Sequence, residues 1–183
     1  MPEPRWTLLV HSGGADDGEA CLAAARAGAT VLRYGGGAVQ AVEAALRSFR
    51  RGAGGDGEAA LDGLVTDGRT LRPAGDDPTP GEGRWGAVAL DGDGHLAAGG
   101  WGDAHADDAV GAASVLGANA ARVVQAMEEG AEPRDAVRGG ASAVAIDRSG
   151  CVGLASGDGA AAVAHDGSEP RLVEAAGGEL LNG

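Results

Sequence analysis

The residues able to do chemistry are few and scattered along the chain. The densest polar group is Asp103 with His105-Ala106-Asp107-Asp108. One imidazole beside carboxylates could join a metal site, but such a site needs several ligands in a defined geometry. A solvated loop is the plainer reading, and neither a metal nor a cofactor is expected. Asp91-Gly92-Asp93-Gly94 begins like a calcium loop, yet Gly102 stands where the bidentate glutamate belongs. It reads as a turn, as does its echo Asp147-Arg148-Ser149-Gly150. Ser12, Ser114, Ser142 and Ser156 could become nucleophiles if folding brought His11, His95, His105 or His165 to one of them. No Gly-x-Ser-x-Gly elbow is present. Thr79 precedes Pro80 in an acidic linker, a poor setting for a nucleophile. Gly35-Gly36-Gly37 would suit an anion at a helix N-terminus, or simply a tight strand-to-helix connection.

These residues need a scaffold, and the composition limits what it can be. A chain of 183 residues implies one domain. At 44% hydrophobic it can bury a core, but with 3% aromatics and 35 glycines that core must rest on Ala, Val and Leu. Small side chains bury little area each, so modest stability and help from a partner subunit are expected. The net charge of −13 repels phosphate backbones and anionic lipid, and all 14 basic residues are Arg. Nucleic acid and membrane are therefore not expected as partners. No stretch has the length of a spanning helix, and Met1-Pro2-Glu3-Pro4-Arg5 lacks the layout of a secretion signal. Cytoplasmic residence follows. Cys21 and Cys151 are expected to be buried thiols rather than a disulfide or a reactive site.

The elements can be read in order. Trp6–Val10 is a buried strand, ending in the small-residue loop His11-Ser12-Gly13-Gly14-Ala15. Asp16 and Asp17 cap a helix through Glu19–Ala27, closed by Gly28. Val39, Val42, Leu46 and Phe49 mark a helix over Ala38–Arg51. Leu61–Leu71 alternates weakly, and Asp76–Gly83 reads as an exposed acidic linker. Residues 87–99 and 143–155 then echo each other: apolar strand, polar turn ending in Gly, apolar strand. Between them lie helical segments at Gly117–Glu129 and Pro133–Arg138. A third hairpin joins Ala160–Ala164 to Arg171–Val173 through Asp166-Gly167. Together these predict an α+β protein of antiparallel sheets with outer helices, a four-layer α-β-β-α sandwich.

The pieces in this order resemble the plant-type asparaginase and isoaspartyl peptidase family of N-terminal-nucleophile hydrolases. Trp6–Ala15 is similar to the family's opening strand and its His-Gly-Gly-Ala-Gly loop. Ala24–Arg47, "AARAGATVLRYGGGAVQAVEAALR", and Leu61–Arg72, "LDGLVTDGRTLR", resemble two further segments. Gly83–Ala98 resembles the strand and hairpin at the family's cleavage site. The resemblance implies a shortened member with that fold. Residues 1–75 correspond to its α-subunit, 76–83 to a reduced linker and 84–183 to its β-subunit.

The family's reaction uses a threonine freed by self-cleavage, whose own amine serves as base for its hydroxyl. Arg84 occupies that position here, and no threonine follows it. Arginine stays protonated and is no nucleophile. Gly99-Gly100 replaces the second threonine segment, and only Trp101-Gly102-Asp103 remains of the substrate loop. The Thr-Gly pair has no counterpart near Ser114–Gly117. No catalytic residue is therefore assigned. Asp103, Arg84 and His105 are the candidates for binding a small, amino-acid-like ligand. Three functions follow from the resemblance: a non-hydrolytic subunit pairing with itself or an intact relative, a rebuilt pocket binding a small carboxylate, or a divergent amidohydrolase.

Overall fold

The computed structural model of the chain describes residues 6–52, 64–66, 71–72, 85–101, 103–107, 110–116, 120–138, 142–156 and 159–173. The acidic linker, Thr79 and Arg84 lie outside them. The first strand, β1 (Thr7–Ser12), runs two residues past the expected end, so His11 and Ser12 belong to the sheet rather than to the loop. A single 3-10 turn, Ala15–Asp17, leads into α1 (Gly18–Arg33) and α2 (Ala38–Gly52). Then come β2 (Leu64–Thr66), β3 (Leu71–Arg72), β4 (Trp85–Leu90) and β5 (Leu96–Trp101). The chain continues through β6 (Asp103–Asp107), β7 (Gly111–Leu116), α3 (Ala120–Glu128) and α4 (Pro133–Ala136). It ends in β8 (Ser142–Asp147), β9 (Val152–Ser156), β10 (Ala160–His165) and β11 (Arg171–Val173).

Two antiparallel sheets form. One has the order β11-β10-β1-β4-β5-β2-β3, the other β6-β7-β8-β9. The first strand is therefore internal, held between β10 and β4. The α1–α2 pair covers one face of the larger sheet through Leu8, Val10, Cys21, Ala25, Phe49 and Trp85. The other face meets the smaller sheet through Leu9, Val88, Leu90, Leu96, Val144, Ile146 and Val163. Helices α3 and α4 close the far side over Val115, Val124, Met127 and Ala145. The alternation along each strand produces this layering, because successive side chains face opposite sides. Aromatic packing is confined to one stack, Phe49 on Trp85 with centroids 4.9 Å apart, among the described residues. No helix among them is long and apolar enough to cross a membrane.

Three expectations are corrected. Gly28 does not end α1, which continues to Arg33. A Cβ there would lie 2.5 Å from Leu8 Cδ2 and 2.8 Å from the Ala41 carbonyl, so this glycine serves close helix contact. The stop comes at Gly35, with φ of 80°. Asp17 stands at the N-cap of α1 but makes no side-chain cap bond. The run Asp103–Asp107 is a strand, not a solvated loop. Its strict Asp-Ala-His-Ala-Asp alternation is a strand signal that its polarity conceals. Its partner β7 carries no strand signal of its own, because four of its six residues are Gly, Ala or Ser.

Candidate functional site

The larger sheet's inner face changes character along its length. Near the β4–β5 turn it is aliphatic, with Leu90 paired to Leu96. At the other end, β1 turns His11 inward and Ser12 toward α1. The two neighbours of His11 in register are Gly86 on β4 and Ala161 on β10, which leave room for the ring. Its Nδ1 lies 3.0 Å from Ser142 Oγ, and its Nε2 lies 3.0 Å from Ser114 Oγ. These serines come from β8 and β7 of the opposing sheet. His11 and Ser114 are fully buried and Ser142 is 4% exposed. A neutral imidazole donates at one nitrogen and accepts at the other. In that form one serine gives its hydroxyl proton to the ring while the other receives the ring N–H.

An imidazole beside a serine hydroxyl is the pair that activates a nucleophile. A nucleophile must also reach its substrate, and neither hydroxyl is exposed. Of the pairings considered from sequence, folding does supply a histidine to Ser114 and Ser142. It does not bring His11 to Ser12. Ser12 Oγ instead donates to the Asp17 carboxylate and accepts from Gly14 N–H at 3.1 Å. The bond to Asp17 anchors the end of β1 to the 3-10 turn that precedes α1. His165 Nδ1 meets Ser168 Oγ at 2.9 Å within its own turn. The trio's common trait shows only once the strands are known. His11, Ser114 and Ser142 each take an inward position in a strand whose other inward positions are small or aliphatic.

Of the sequence-derived binding residues, Asp103 and His105 are placed as backbone positions, and Arg84 lies outside the described residues. Arg84 immediately precedes β4, whose Trp85 pairs with Ser12 on β1 and with Trp101 on β5. Asp103 opens β6 and pairs with Leu116, and His105 pairs with Ser114. One end of the sandwich thus collects Ser12, Trp85, Trp101, Asp103 and Ser142.

At the opposite end Asp91, Asp93 and His95 place ligand atoms within 4.8 Å of one another, a trio able in type to hold a cation. Asp91 is already committed. Its Oδ1 accepts from Asp93 N–H at 3.0 Å and His95 N–H at 2.9 Å. Its Oδ2 accepts from Ala38 N–H at 3.1 Å and lies 3.3 Å from His95 Nδ1. The Gly35–Gly37 segment joins α1 to α2 rather than a strand to a helix. The anion at the N-terminus of α2 is this carboxylate from the same chain.

Both cysteines are free. Burial, with Asp17 nearby, pushes the Cys21 thiol up to about 12. Cys151 is exposed, against expectation, because it ends the β8–β9 turn. Partial burial raises its pKa, as do the carboxylates of Asp147 and Glu132. Neither thiol has the electropositive surroundings of a reactive cysteine.

No protein-family model matches the chain, and no curated protein matches it at a significant level. The likeness to the asparaginase family rests on the short ordered segments alone.

Proposed function

We propose that the chain is a divergent, non-hydrolytic relative of the plant-type asparaginases. It keeps a shortened N-terminal-nucleophile hydrolase fold and acts as a binding subunit, pairing with itself or with an intact relative. The observation that carries this reading is the pairing of β1 with β4. The strand resembling the family's opening segment lies beside the strand that begins directly after Arg84. The layer order helix, sheet, sheet, helix also supports it. With arginine at the nucleophile position, the acyl-transfer step has no attacking group. The Ser–His contacts that do form are enclosed and offer no substitute.

The position of Asp103 at the same end favours a second reading. There, Arg84, Asp103 and His105 bind a small amino-acid-like carboxylate, with Arg84 gripping it bidentately. The two readings are compatible, since a subunit can retain a ligand pocket.

The test uses purified protein incubated with L-asparagine and with a β-aspartyl dipeptide. The expected result is one intact band on a denaturing gel and no ammonia or free aspartate. Two fragments with ammonia release would overturn the proposal. Arg84→Thr is expected to restore neither cleavage nor turnover, because the other threonine functions are also absent. Mass photometry, alone and with a co-expressed intact asparaginase, should show a dimer or mixed oligomer. A strict monomer in both samples argues against the subunit role. For the pocket reading, L-aspartate should raise the melting temperature of the parent protein but not of Arg84→Ala.

A further inference from the structure

We infer that the His11–Ser114–Ser142 cluster selects one docking of the two sheets against each other. The inference is independent of the proposed function. Among the described side chains the rest of the inter-sheet layer is mostly aliphatic, Leu9, Val88, Leu90, Leu96, Ala98, Ala112, Val144, Ile146 and Val163, with Thr7 buried at its far edge. Contacts of this kind are non-directional, and similar shapes substitute for one another. A sheet slid by one two-residue step would meet much the same surface. Along β8 the inward positions after Ser142 are Val144 and Ile146, and along β10 they are Ala161 and Val163. Burial alone therefore discriminates poorly between neighbouring dockings.

The polar cluster behaves differently. Its two hydrogen bonds, each 3.0 Å, join β1 of one sheet to two adjacent strands of the other. Three points fix both translation and rotation. The ring is not held in place by bulky strand neighbours, since Gly86 and Ala161 flank it. In any slipped docking these contacts break and leave buried polar atoms without them, which is costly in an apolar layer. The cluster thus acts mainly against the alternatives, a role attested for single buried polar groups elsewhere.

The decisive variant is His11→Leu/Ser114→Ala/Ser142→Ala, which removes every polar group of the cluster together. The expected protein melts cooperatively within a few degrees of the parent. It nevertheless shows doubled or broadened amide resonances for β1, β7 and β8, and binds several-fold more of a hydrophobic dye. A single sharp set of resonances with unchanged dye binding overturns the inference. So does a triple variant that fails to melt cooperatively, because the cluster would then be needed for stability rather than for choice. Ser114→Thr/Ser142→Thr keeps both hydroxyls and should keep one set of resonances. If it multiplies the resonances as the apolar triple does, bulk rather than hydrogen bonding sets the docking, and the inference falls.

Discussion

The hairpins β4–β5 and β8–β9 share a sequence pattern and a turn, yet they have different work in the fold. In each, the first aspartate accepts from the backbone N–H two and four residues on. The distances are 3.0 and 2.9 Å at Asp91, and 2.8 and 2.9 Å at Asp147. In each, a glycine three residues later has positive φ, 81° at Gly94 and 80° at Gly150. The difference lies in what surrounds the aspartate. Asp91 is 5% exposed, and its second oxygen caps α2 from 53 residues away. Asp147 remains near the surface and serves its own turn. A local motif complete in itself can thus be recruited for a tertiary task without changing its geometry.

The two hairpins differ most at Gly153, which takes the place in β9 that Ala97 takes in β5. A Cβ there would lie 2.2 Å from the Pro133 carbonyl oxygen, which is backbone and cannot swing aside. Gly153→Ala should displace α4 and cost about 3 kcal/mol. The mirror change Ala97→Gly should cost about 1 kcal/mol. Urea unfolding of the two variants reads both values. If they proved equal, α4 would not rest on β9 as described.

Asp91→Ala comes next. It removes the turn's acceptor and the helix cap together, for an expected loss of about 2–3 kcal/mol. Asp147→Ala removes only the turn's acceptor and should cost about 1 kcal/mol or less. Amide exchange should also quicken at the start of α2 in Asp91→Ala alone. Equal losses with equal exchange would mean that the cap contributes nothing.

The smallest effects concern the thiols. Cys151 should react with iodoacetamide at pH 8 more slowly than free cysteine, and Asp147→Asn should speed it. Cys21 should react only after denaturation. It also predicts a pH trend. The folded state keeps the Cys21 proton that the unfolded chain releases above its ordinary value of 9.0. This contribution is intact below pH 9 and is lost as pH rises toward about 12. Cys21→Ala should flatten that limb of the stability curve.

Much of the fold was legible because local pattern and tertiary role agreed. The helix Ala38–Gly52 shows its apolar stripe, and all three expected hairpins carry their glycine turns. What stayed hidden depends on partners remote in sequence. Gly28 reads as a stop until α2 is laid against it. Residues 103–107 read as a loop until β7 pairs with them, and β7 is itself too small-sided to stand out. The buried cluster was visible only as unrelated serines and a histidine. The pairs that matter are separated by 131 and 103 residues, and no spacing rule spans that. Asp91 reads as a turn residue and is one, but its cap on α2 has no local sign.

The internal place of β1 has a consequence for how the chain is made. A ribosome would deliver this strand well before its sheet neighbours. Its neighbours β4 and β10 emerge only with residues 85–90 and 160–165. Until β4 emerges Leu8, Leu9 and Val10 would travel with both strand edges open, and until β10 emerges with one, a template for pairing with another nascent chain. A strand made before both of its neighbours is among the last to be enclosed.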